Sequence, residues 1–131
     1  MVNCGHVYFL YLPIAQKEKL VVPAFVAPDG KVRFFVINTN RTEFQITKAV
    51  VAAHVLPVSL NGHEGFLDHD SWLTCHEVVG GYTVSQIDAL PNCYRAPLTQ
   101  EVITAVRQVI QESRLYSEQD KVTILAQWPG T

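Results

Sequence analysis

At 131 residues, with 48% hydrophobic and 17% charged side chains, the chain has the length of one domain with a real core and is too apolar for a disordered tail. Lys plus Arg number 10 against 12 Asp plus Glu, and the formal net charge of −2 excludes a basic, sequence-indifferent DNA binder. The apolar runs Val7 to Leu12 and Leu20 to Ala27 fall well short of the roughly 20 residues a bilayer requires, so no membrane partner is expected.

Met1 to His6 lacks the basic start of a signal peptide. Three cysteines, Cys4, Cys75 and Cys93, make an odd set without Cys-x-x-Cys spacing, which fits reduced thiols and a cytoplasmic location.

In chain order, Val7 to Leu12 is rich in aromatic and branched residues and stops at Pro13, as a strand does. Val21 to Val26 follows, and Pro23 inside it marks an edge or a bulge, because proline cannot donate to a ladder. Pro28-Asp29-Gly30 is a turn: proline presets φ and glycine accepts the left-handed position. With Val32 to Ile37 it makes the clearest hairpin of the chain.

Residues 38 to 49 are polar and weakly periodic and read as a long loop, where a barrel usually carries its function. Strand character returns from Val50 to Leu60, a turn follows at Asn61 to Gly65, and Trp72 to Cys75 is a short strand. Gly80-Gly81 separates Glu77-Val78-Val79 from Tyr82-Thr83-Val84, as a tight turn or a barrel corner. Short strands at this spacing, with Gly and Pro between them, predict a mainly β domain, a small β-barrel over 1–92.

A C-terminal helical segment over 97–131 completes this single domain. Thr99 is a plausible N-cap, Glu101 favours the positive end of the helix dipole, and Val102, Ile103, Val106 and Ile110 recur at helical spacing, predicting a helix over 100–113. Ser117 with Asp120 three residues on predicts a second helix over 118–126, with a strand over Val122 to Trp128 as the alternative.

The order of these features resembles the PemK/MazF-like toxins, small SH3-like barrels of bacterial toxin–antitoxin modules. Gly5-His6-Val7-Tyr8 is similar to the family's opening strand, and Lys19 to Val26 to the strand in which it writes Arg-Pro before apolar residues. Val36-Ile37-Asn38-Thr39-Asn40 resembles a strand end carrying a functional hydroxyl. Gly65 to Val78 is the strongest match, and Leu98 to Gln111 resembles the C-terminal helix. Phe66 to Cys75 also resembles the signature of an uncharacterised branch of that superfamily.

The resemblance implies a homodimeric, metal-independent endoribonuclease that cuts single-stranded RNA, needs no cofactor and is restrained by an antitoxin protein. It also exposes a departure: where the family places its catalytic Arg before the proline, this chain has Val22. A catalytically inactive SH3-like barrel that binds protein or nucleic acid is therefore the second reading.

Cleavage by attack of a 2′-OH needs a base, an acid and a cation for the crowded phosphorane. Thr39 matches the hydroxyl position, and Arg41 and Lys19 are the cations that would complete a catalytic set. Lys17, Arg33 and His69 are the expected RNA-binding residues. Among His63, His69 and His76, any could move protons near neutral pH. His63, Asp68, His69, Asp70, Cys75 and His76 are dense in metal-ligand types, but their spacing fits no metal site.

Overall fold

The computed structural model describes residues 1–130. Strands β1 (His6–Leu12), β2 (Lys17–Val26), β3 (Lys31–Asn38), β4 (Val55–Val58), β5 (Ser71–Thr83) and β6 (Tyr94–Pro97) form one antiparallel sheet in the order β4-β5-β3-β2-β1-β6. Helices α1 (Glu43–Thr47) and α2 (Ala49–Ala52) lie between β3 and β4, α3 (Val84–Asp88) follows β5, and α4 (Gln100–Glu112) and α5 (Glu118–Gln127) end the chain. The mainly β domain expected from the sequence is present. The ladder does not close into a barrel: β4 and β6 are its two edges.

Both faces of the sheet are apolar, and alternation along each strand divides them. Val7, Val22, Phe35, Ile37, Leu73 and Cys75 point to one face, which α4 and α5 cover with Val102, Ile103, Val106, Ile110, Ile124 and Trp128. Tyr8, Leu10, Val21 and Phe34 point to the other, where Ile87 of α3 and Cys93 join them. Register shifts at Val7/Tyr8, Pro23/Phe25, Val32/Phe34 and Phe34/Val36 bend the strands. Pro23 thus marks a bulge in an interior strand rather than an edge.

The β2–β3 turn follows its sequence. Gly30 has φ +83°, its N–H donates to the Ala27 carbonyl, and Asp29 accepts from the Lys31 N–H. α5 docks on β2 through Gln127, whose side-chain amide accepts from the Val26 N–H at 2.7 Å and donates to the Val26 carbonyl at 3.1 Å. Arg107 of α4 donates to the carbonyls of Leu125, Trp128 and Pro129, closing the end of α5. The strand alternative over Val122 to Trp128 is replaced by helix.

Four expectations are corrected. The loop over 38–49 contains α1, and the strand expected from Val50 begins only at Val55, because α2 occupies Ala49–Ala52. A capping box starts α1: Thr42 accepts from the Gln45 N–H while the Gln45 amide accepts from the Thr42 N–H, whereas α2 has no side-chain cap. Thr83 and Gln86 make the same reciprocal pair and start α3, so helix is not confined to the C-terminal segment. Lastly, Gly80-Gly81 is no tight turn: β5 runs through both, and its irregular pairing with β3 bends it instead.

Among the described residues no helix is long and apolar enough to cross a membrane. The three cysteines are free, and burial pushes the Cys4 thiol up to about 11.

Candidate functional site at the open end of the sheet

The end of β3 delivers Thr39 and the segment entering β5 delivers His69. Thr39 Oγ1 lies 3.4 Å from His69 Nε2. On its other side the His69 ring has Asp68 Oδ1 at 3.4 Å and Ser71 Oγ at 3.5 Å from Nδ1. These side chains border a cleft of about 230 Å³ that Phe9, Leu67 and residues 17–19 of β2 also line, and of those three it is Glu18 that alternates onto the face Thr39 continues. Residues 30 positions apart in the chain are thus brought together where solvent reaches them, the His69 side chain being 54% exposed.

The other two candidate histidines are held in structural bonds. His63 donates from Nδ1 to the Ser59 carbonyl and accepts at Nε2 from the Thr99 N–H, which fixes a neutral tautomer in a buried ring. That bond ties the start of α4; Thr99 is the N-cap, but its side chain makes no capping bond. His76 accepts at Nε2 from the Gln45 amide. Only His69 combines an exposed ring with a hydroxyl neighbour at the expected site.

The expected cations divide. Lys19 and Lys17 alternate with Glu18 along β2, and the Lys19 ammonium donates to the Asn38 side-chain oxygen, on the face opposite the one Thr39 continues. Burial and then the neighbouring Lys17 lower the Lys19 pKa from its usual value. Arg41 stacks its guanidinium 4.1 Å from the centre of the Trp72 ring, and Trp72 pairs with Asn38 across β3 and β5. Asn38, with Lys19 on one flank and Trp72 on the other, therefore carries the positive row.

Arg33 is not part of this group. It sits at the opposite end of β3, where its guanidinium bonds Asp29 at 3.0 Å beside Gly80. Val22, at the position of the resembled family's Arg, is fully buried in the core beneath α4 and α5. The Pro23/Phe25 bulge lies beyond Val22 and does not turn Lys19 to that face.

Among the described residues no three His, Cys, Asp or Glu side chains converge on a common point that could hold a metal ion. Sequence reasoning missed the Arg41–Trp72 stack and the Lys19–Asn38 bond. Cross-strand pairing of 19, 38 and 72 carries both, and pairing register is not written in any one strand.

No protein-family model matches the chain, and no curated protein matches it.

Proposed function

We propose that the chain is a PemK/MazF-like endoribonuclease toxin of a toxin–antitoxin module, cleaving single-stranded RNA without metal at the cleft that Thr39 and His69 share. The observation that carries this reading is the 3.4 Å approach of the Thr39 hydroxyl to His69 Nε2 at the border of that cleft. In the proposed reaction the 2′-oxygen attacks phosphorus and the bond to the 5′-oxygen breaks, leaving a 2′,3′-cyclic phosphate. His69 takes the 2′-OH proton, the departing 5′-oxygen takes one from solvent, and Thr39 donates a hydrogen bond to a phosphate oxygen. Lys17 and Lys19, on the other side of β3, hold a neighbouring phosphate of the strand, and Arg41 is the cation that offsets the charge building on the phosphorane. An SH3-like barrel, a C2 homodimer and an antitoxin partner belong to the same proposal.

The burial of Val22 favours a second reading, a non-catalytic SH3-like module that binds single-stranded RNA or protein at the same end. The missing guanidinium removes the planar, bidentate phosphate clamp that lysine does not replace. Expression in bacterial cells separates the two. Growth arrest with fragmented cellular RNA, abolished by Thr39→Ala, supports the enzyme; intact RNA at full expression supports the binding module.

A further inference from the structure

On the sheet face that carries Lys17 and Lys19, a second pocket of about 310 Å³ opens beside the β1–β2 turn. Half-buried Val36 and Val79 give it an apolar patch, Asn38, Gln45 and Thr74 add polar lining, and the two lysines stand on one flank with Glu77 among the other lining residues. The Lys17 ammonium and the Glu77 carboxylate have no hydrogen-bond or ion-pair partner among the described residues. Lys19 is already aimed by its bond to Asn38. The volume lies at the small end of the range for small-molecule sites, which are concave and apolar with a few placed polar groups.

We infer that this pocket binds a single nucleoside phosphate unit, with phosphate on Lys17 and Lys19, ribose hydroxyls donating to Glu77, and the base against Val36 and Val79. The inference rests on the RNA reading above and adds to it a subsite for one nucleotide of the strand, on the opposite side of β3 from Thr39. Three features of the pocket match the three parts of that unit. Two cations at i and i+2 on one strand share a face and can grip one phosphate. A carboxylate is an acceptor only, and suits hydroxyl donors. Val36 and Val79 suit the face of a base, while the polar lining side chains Asn38, Gln45 and Thr74 are already bonded to Lys19, His76 and the Val36 carbonyl rather than aimed at a base edge.

Titration calorimetry of the full chain with uridine 5′-monophosphate tests it, with inorganic phosphate and a single-stranded RNA octamer as parallel probes. Saturable one-to-one binding of the nucleotide is expected. Lys17→Ala should weaken it at least about tenfold, the loss of one charge-assisted contact. Ala15→Trp, an exposed turn position on the lip of the pocket, should block the nucleotide while leaving inorganic phosphate bound. No nucleotide binding, or binding indifferent to both substitutions, overturns the inference. RNA cleavage without nucleotide binding sinks the subsite and leaves the enzyme; nucleotide binding without cleavage keeps the subsite and sinks the enzyme.

Discussion

Thr39 Oγ1 and His69 Nε2 stand 3.4 Å apart, joining the end of β3 to the segment that enters β5. If this contact is the catalytic pair, His69→Ala lowers single-stranded RNA cleavage at least about tenfold, a loss of more than about 1.4 kcal/mol of transition-state stabilisation. Asp68 also touches the ring, but its side chain is 92% exposed. Exposed ion pairs contribute less than about 1 kcal/mol, so Asp68→Asn should cost under about fivefold. Initial-rate measurements on both variants decide this, and a larger loss in Asp68→Asn would point to a true Asp–His–Thr relay.

The C-terminal helix tests the packing account. Val106 and Ile110 are fully buried, whereas Gln108 is exposed and bonds only Glu112 of its own helix. Ile110→Ala should destabilise by about 2–5 kcal/mol and Gln108→Ala by less than about 0.5 kcal/mol. Denaturant melts of the two proteins give the comparison; equal small effects would contradict the packing of α4 on the sheet.

Two glycines with similar backbone angles separate strain from crowding. Gly5 has φ +82° and Gly30 φ +83°, so alanine at either costs about 1–2 kcal/mol for the left-handed conformation. A Cβ on Gly5 would also meet Ile103 Cδ1 and Pro129 Cγ at 2.8 Å, while one on Gly30 meets nothing within 4 Å. Gly5→Ala should therefore lower the denaturation midpoint clearly further than Gly30→Ala.

Acid should weaken the fold through His54. This buried ring donates from Nδ1 to the Val50 carbonyl and accepts at Nε2 from the Ser113 hydroxyl, tying the region of α2 to the end of α4. Burial lowers its pKa, with nearby His76 acting in the same direction and the Val50 bond opposing. The unfolded imidazole, at about 6.5, then binds a proton before the folded one does. Stability from this group is complete above about pH 6.5 and falls as pH drops toward the lower folded value. Melting curves at pH 7.5 and pH 5 should show a smaller acid loss in His54→Gln than in the unsubstituted chain.

Much of the fold was legible where one strand or helix carries its own signal. The Pro28-Asp29-Gly30 hairpin, the apolar stripe of α4 and the Ser117 cap, which accepts from the Asp120 N–H, all depend on residues within a few positions of each other. The missed helices α1 and α3 were also local. Thr42-x-x-Gln45 and Thr83-x-x-Gln86 are capping boxes, but short helices flanked by branched residues look like strand or loop when periodicity alone is read.

The site was half legible. Motif order pointed to Thr39 and His69 separately, and only folding puts them in contact. Arg33 looked like a competing cation because it lies on the strand paired with that of Lys19, yet six residues of chain separate it from Thr39 and put it at the other end of β3. Lys19 was named as the cation nearest along β2 to the position of the resembled family's Arg, and strand alternation keeps it opposite Thr39.

The most direct measurement is the cleavage rate of a varied single-stranded RNA pool by the purified chain, free of any antitoxin, in EDTA. The proposed enzyme cuts under these conditions, leaves 2′,3′-cyclic phosphate ends, and slows at least about tenfold in Thr39→Ala and in Arg41→Ala. An RNA pool left intact by folded protein would contradict the catalytic account and leave the binding module; cleavage indifferent to both substitutions would contradict the site.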